Sequence, residues 1–337
     1  MKAVGYRQSL PISEAASLLD VELPDPKPSG LDLLVQVRAV SVNPVDTKVR
    51  VRMAPEPGET KVLGWDAAGV VLKAGPEAKL FQPGDEVWYA GSIARPGTNS
   101  EFHLVDERIV GKKPLSLSFA QAAALPLTTI TAWELLFDRF GVQPGKRPTE
   151  DTLLIIGAAG GVGSIFVQLA RRLTGMTVIG TASRKETADW VRSLGAHHVI
   201  DHSKPLSAEL TRVGIPAVTH VASLTQTESH FPQIVESLAP QGKFGLIDDP
   251  RALDINLLKR KSISVHWEFM FTRAVFGTAD MITQHRLLSE VAELVDAGLI
   301  RTTVGEHFGR IRAENLKRAH ALIESGRAKG KIVLEGF

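Results

Sequence analysis

Residues 152–163 read TLLIIGAAGGVG, and no other stretch constrains the fold of this chain as tightly. Leu153 to Ile156 is a short continuous run of apolar residues, the composition of a parallel strand buried on both faces. It meets Gly157 and then the glycine-rich turn Ala158 to Gly163. Beyond the turn, Val162, Ile165 or Phe166, Leu169 and Leu173 recur at helical spacing, and Gly175 supplies a stop. Strand, turn and helix together put unpaired helix N–H groups at the strand's end. Such a site suits an anion, the pyrophosphate of a dinucleotide included. Its expected contacts are Ala158, Gly160, Gly161 and Val162. The fingerprint reads A-x-G-x-x-G, with Ala158 in the place of the first glycine, so the flanks must carry part of the inference. Glycines that only permit close helix–strand packing would read the same way. The stretch Thr152 to Ala170 is also uncharged, as a membrane span would be. Its four glycines and the pattern that follows argue against a span.

That pattern is a regular alternation. Strands are expected at Leu153 to Gly157, Thr177 to Ala182, His197 to Ile200, Ala217 to Ala222, Lys243 to Ile247 and Ser262 to Trp267. The clearest intervening helices are Arg184 to Leu194 and Glu228 to Leu238. Six such strands predict an α/β fold with a doubly wound parallel sheet of the Rossmann type.

Residues 1–117 are instead β-rich. Strand patterns run at Lys2 to Tyr6, Leu33 to Val42, Ala67 to Leu72, Glu86 to Tyr89 and Glu101 to Val110, separated by turn signals such as Pro83-Gly84-Asp85. A partly closed β domain is expected. Ser118 and Gln121 have capping-box spacing, and the apolar run that follows breaks at Pro126, predicting two helices. After residue 271, a helix at Leu287 to Ala297, another at Asn315 to Ser325 and a strand at Lys331 to Leu334 have no place in the dinucleotide sheet. The expected division is therefore 1–126 with 272–337, and 127–271.

Composition narrows the partners. The chain has 337 residues, 44% hydrophobic and 23% charged, with a net charge of +2. That balance gives no general attraction to nucleic acid or to an anionic membrane. There is no cysteine, which excludes disulfides and thiolate zinc ligands. The N-terminal MKAVGYRQSL lacks the apolar core of a secretory signal, so a cytoplasmic location is expected.

Several spaced motifs now appear in order: SVNPVD (Ser41 to Asp46), GWDAAGVV (Gly64 to Val71), PGDEVW (Pro83 to Trp88), AAGGVG (Ala158 to Gly163) and GKIVL (Gly330 to Leu334). With them the chain resembles the medium-chain dehydrogenase/reductase superfamily, in its zinc-free quinone oxidoreductase branch. VWYAGSIARPGTNSEF and HWEFMFTR resemble the group labelled zinc-type alcohol dehydrogenase-like proteins. The resemblance implies a GroES-like β domain beside the Rossmann domain, a nicotinamide cofactor, a small-molecule substrate and a homodimer. It also implies that Asn43 and Trp65 stand where zinc-dependent relatives carry a cysteine and a histidine. Catalytic zinc takes three protein ligands, so no metal is expected.

The remaining site residues follow from position and likeness. Ser183-Arg184-Lys185 comes after the second strand, where an NAD enzyme carries an acidic residue for the ribose. Ser183 and Glu186 have capping-box spacing. Yet positive charge in a helix's first turn opposes the macrodipole, and the 2′-phosphate of NADPH would resolve that conflict. NADPH is the expected cofactor. By resemblance Thr129, with Thr128 beside it, meets the nicotinamide; His202 and Lys331 complete the cofactor set. Asn43 either donates to a substrate carbonyl or holds the nicotinamide ribose, and Asp46 either caps the turn after Pro44 or joins the chemistry. Tyr89 either packs or donates a proton. His103 is expected to pack. Trp65, Trp267, Phe269 and Phe271 would make the substrate pocket aromatic. The expected reaction is hydride transfer from NADPH to a quinone or α,β-unsaturated carbonyl. An enoyl-thioester reductase and a non-catalytic, crystallin-like NADPH binder stand as alternatives.

Overall fold

The computed structural model describes residues 1–337 and divides into two compact units. The first comprises Met1–Ile130 with Phe271–Phe337, and the second Thr131–Met270. No helix is long and apolar enough to cross a membrane.

In the second unit six strands form one parallel sheet. Its order is His198–Ile200, Thr177–Thr181, Thr152–Ile156, Val218–Ser223, Leu238–Leu246 and Ser264–Trp267. Numbered along the chain, that is 3-2-1-4-5-6, the doubly wound order with its switch point beside the first strand. The first strand is central, and Leu153 to Ile156 are all buried. Helices cover the sheet, and the core joins Leu154, Ile179, Val221, Phe244 and Leu246 to Leu210 and Ile234 from two of them.

The first unit holds a seven-stranded sheet and a separate three-stranded one. Asp32–Val42 lies between Ala67–Ala74 and Lys331–Glu335, antiparallel to both. Ile332 faces Val42, while Val40 faces Ala67. The register therefore brings Lys331 and Asp66 up on either side of Asn43. The C-terminal strand belongs to this sheet.

One expected strand needs revision. Glu101 to Val110 is not one strand: Phe102–Asp106 ends in a 3₁₀ turn, Glu107–Ile109, before Val110–Lys112. Asp106 causes the break, its carboxylate accepting from the Arg108 amide at 2.9 Å, a local bond that competes with the ladder. Leu19–Glu22, Lys61–Val62 and Val304–His307 are short strands that no periodicity announced. By contrast, the Ser118–Gln121 capping box forms with both bonds, and the helices meet at Pro126.

Candidate active site

The glycine turn is built by a residue that the fingerprint leaves outside. Gly157, at φ +82°, makes the turn after the strand, so Ala158 need not be glycine and is buried. Gly163 serves close packing: a Cβ there would stand 2.5 Å from the Ala158 Cα and the Gly157 carbonyl. The helix Gly161–Leu173 starts from Gly160, and the Ser164 N–H bonds back to the Gly160 carbonyl at 2.9 Å. The amides of Gly161 and Val162 precede that first intrahelical bond and open on the turn, as an anion requires.

Beyond the second and third strands lies a hollow of about 250 Å³ lined by Ser183, Arg184, Lys185, Arg192, Lys204 and Arg212 among others, with Asp201 and Glu209 the only acids. Helix Lys185–Ser193 begins at Arg184, which has no side-chain cap bond. The Ser183–Glu186 capping box is therefore absent. Lys185 pairs with Asp189 at 2.7 Å, an i,i+4 contact that settles its charge within the helix. Arg212 is likewise committed to Glu209. Ser183, Arg184 and Lys204 also line the hollow, with exposed side chains. His202 does not line it; its ring packs edge-on to His230 at 6.0 Å. Lys204, two residues on, lines the hollow. Only its position after the third strand could have drawn attention to it.

A second constellation, in the first unit, is a buried polar cluster around Asn43. Lys331 Nζ stands 3.0 Å from Asp66 Oδ2, bonds the Val42 carbonyl at 3.1 Å and donates to Asn43 Oδ1. Asp66 accepts from the Ser41 hydroxyl (3.0 Å), the Asn43 amide (3.2 Å) and the Leu127 N–H (3.2 Å). Burial raises the Asp66 carboxyl and lowers the Lys331 ammonium, each opposed by the other's charge. Their full sets of partners keep the pair ionised. Asp66 lies inside the GWDAAGVV motif, and sequence reasoning passed over it in favour of Trp65.

This geometry bears on several expected roles. The three donors of Lys331 are directed inside the cluster, where it serves as the buried counter-ion of Asp66. Asn43 is 1% exposed, its side-chain amide donating to Asp66 and accepting from Lys331. Asp46 accepts from the Asn43 backbone N–H at 2.6 Å and completes a capping box for the helix Pro44–Arg52. Burial lifts its pKa to about 7, against the pull of the Asn43 amide and Lys331.

Tyr89 is buried and stacked on His103, with ring centroids 5.5 Å apart. His103 Nε2 lies 3.0 Å from the Pro96 carbonyl, which can only accept, so Nδ1 is left to receive the Tyr89 hydroxyl at 3.2 Å. The phenol proton is thus committed to a histidine that burial lowers to about 4. Burial also raises the Tyr89 hydroxyl above its ordinary value. Thr128 donates to the Leu125 carbonyl at 3.0 Å, whereas the buried Thr129 hydroxyl has no hydrogen-bond partner.

Of the four aromatics expected to line the substrate pocket, two are buried and two exposed. Trp65 and Phe271 are buried and meet edge-on at 6.2 Å, the Trp65 indole donating to the Ser92 carbonyl. Trp267 and Phe269 are 57% and 50% exposed. Trp267 ends the outermost strand, with nothing beyond it in the sheet, and Phe269 follows two residues later.

Zinc does not fit these residues. Asn43 and Trp65 have their polar atoms engaged, and no three His, Asp or Glu side chains gather where a metal ion would be held.

Comparisons with known proteins agree with this architecture. The profile described as alcohol dehydrogenase GroES-like domain matches residues 29–126, and that described as zinc-binding dehydrogenase matches residues 194–334. A zinc-type alcohol dehydrogenase-like protein of Staphylococcus epidermidis is 39% identical over 99% of both chains. The crystal structure of a putative zinc-dependent alcohol dehydrogenase from Rhizobium etli superposes with a TM-score of 0.96 at 60% identity, covering 100% of this chain and 98% of that one. Escherichia coli quinone oxidoreductase complexed with NADPH superposes with a TM-score of 0.84 at 25% identity, covering 99% and 100%.

Proposed function

The chain belongs to the medium-chain dehydrogenase/reductase superfamily of oxidoreductases, and on that premise we propose that it is an NADPH-dependent reductase of quinones or α,β-unsaturated carbonyls that works without zinc. The observation that carries this reading is the hollow beyond the second strand, where Ser183, Arg184 and Lys204 line a surface with more cations than acids. A 2′-phosphate is the ligand that such a surface rewards, and no acid stands at the second strand's end to receive a ribose hydroxyl.

The chain's own residues then divide the work. The amides of Gly161 and Val162 hold the pyrophosphate at the helix N-terminus. Ser183, Arg184 and Lys204 hold the 2′-phosphate. The unpartnered Thr129 hydroxyl is available to orient the nicotinamide amide. When bound, the cofactor supplies the hydride. Asn43, Asp46, Asp66 and Lys331 act one step back, by fixing the Asn43 turn and the start of the helix Pro126–Trp133 through Leu127.

The substrate class follows from what the cluster withholds. Reduction of a simple aldehyde places charge on one oxygen, which a Lewis acid or a strong donor must meet. The Asn43 and Tyr89 donors are consumed internally. A conjugated acceptor spreads the charge and needs less help. Val265, Trp267 and Phe269, exposed on the outermost strand and just beyond it, support a homodimer joined through that edge. The test is anaerobic NADPH oxidation across quinones, enones, enoyl thioesters and aldehydes. Turnover confined to aldehydes, or absent altogether, would overturn the proposal.

A further inference from the structure

A buried acid pair in the second unit has no part in the site described above. The segment Glu134–Arg139 is π-helical, as the bond from the Phe140 N–H to the Leu135 carbonyl at 3.0 Å shows. In such winding, residues five apart lie on one face, and Glu134 and Arg139 together face Glu268. Glu268 follows the outermost strand, at the carboxyl end of the sheet, its N–H bonded to the Leu246 carbonyl at 3.0 Å. Glu134 is 1% and Glu268 3% exposed. Arg139 reaches Glu268 at 2.8 Å and Glu134 at 3.8 Å.

The charges do not balance. Two buried carboxylates face the same guanidinium, and holding two negative charges together away from water is costly. The hydrogen bonds do not balance either: Glu268 Oε1 is buried and no group of the protein donates to it. A proton carried between the two carboxyls cures both defects at once. It leaves one negative charge for Arg139 and supplies the missing donor.

We propose that Glu134 and Glu268 form a proton-binding site, which holds one proton at neutral pH and thereby latches the π-helical segment to the outermost strand. Burial first, then the Glu134 charge, raises the Glu268 carboxyl to about 9, with Arg139 pulling the other way. His266, two residues earlier on the strand, adds no positive charge at neutral pH: burial, Lys243 and Arg139 hold it below the usual histidine value.

The sign of the effect follows. The pair is protonated in the folded chain up to about 9, whereas an unfolded glutamate ionises near about 4.3. The stabilisation is complete below the lower value and is lost progressively as pH rises to the upper one. Through that window the proton makes the unfolding constant climb about tenfold per pH unit.

The experiment compares pH-dependent denaturant unfolding of the full chain with that of Glu268→Gln and Glu134→Gln. An amide replaces the carboxylic acid without needing the proton, so the variants should lose this part of the slope between pH 5 and pH 9. Slopes equal to wild type in both variants would overturn the proposal. If either variant fails to fold, the wild type decides alone. With glutamate side-chain carboxyls labelled with carbon-13, one should remain protonated at pH 7 and titrate near pH 9. Finding every glutamate ionised at pH 7 would equally overturn it.

Discussion

Lys331 Nζ lies 3.0 Å from Asp66 Oδ2 with both side chains buried, and the contact joins the C-terminal strand to the strand Ala67–Ala74 across Asn43. An ion pair so enclosed has lost most of its hydration, and only its full set of hydrogen bonds makes it tolerable. Lys331→Met should therefore destabilise the fold by about 3–5 kcal/mol, because it strands a buried carboxylate. Replacing both residues, as Lys331→Met with Asp66→Leu, should recover much of that loss. Denaturant unfolding of the three variants checks the order. If Lys331 touched the cofactor instead, the folded Lys331→Met protein would bind NADPH more weakly; unchanged affinity is the outcome expected here.

Cofactor choice should rest on Arg184 and Lys204. Each Ala substitution removes a charge-assisted bond to the 2′-phosphate, worth about 1.5–3 kcal/mol or roughly ten- to a hundredfold in affinity for NADPH. NADH, which lacks that phosphate, should bind the variants as it binds the wild type. His202→Ala should change neither. Titration calorimetry with both nucleotides separates these outcomes, and equal losses for both would assign Arg184 to the fold.

Tyr89→Phe should leave turnover almost unchanged. The hydroxyl already gives its proton to His103 Nδ1, so the variant loses a buried bond and strands an acceptor. The cost is about 1–3 kcal/mol of stability. A large fall in kcat with unaltered stability would return Tyr89 to the chemistry.

Asp46 predicts a pH dependence. Its folded pKa is about 7, against about 3.9 for an unfolded aspartate. Raised in this way, the group contributes stability that is fully present below pH 3.9 and is lost as pH rises towards 7. Asp46→Asn keeps an acceptor for the Asn43 N–H and should remove that component. Unfolding curves of the two proteins at pH 4.5, 5.5 and 6.5 should converge as pH rises, the wild type losing its advantage.

What the chain disclosed before folding follows the range of the forces involved. The glycine turn, the strand alternation and the Ser118 capping box are local, so a run of a dozen residues contains the whole cause. Asp66, Asn43 and Lys331 meet because two antiparallel strand pairings choose their registers, and no local period records which residues lie opposite. The Tyr89–His103 stack is likewise tertiary. Trp267 ends the outermost strand of the sheet and Phe269 lies just beyond it, a position that only the strand order reveals. Gly157 was in view, but the fingerprint's spacing gave the turn to Ala158. The positive φ shows otherwise.

The reaction class yields the last prediction. Zinc would need three ligands and an open position, while Asn43 is enclosed by Lys331 and Asp66 and Trp65 is bonded to Ser92. Protein purified without chelators should therefore carry no stoichiometric zinc by elemental analysis, and added chelator should not alter turnover. Without a Lewis acid, a simple carbonyl oxygen would take its full charge unaided, forgoing several kcal/mol of transition-state stabilisation. An enone accepting hydride at its β-carbon, or a quinone, delocalises that charge and loses less. The expected profile is NADPH-driven reduction of quinones or enones, with alcohol oxidation negligible at any metal content. Zinc bound one-to-one, with alcohol oxidation that disappears on chelation, would refute both the fit argument and the reaction class.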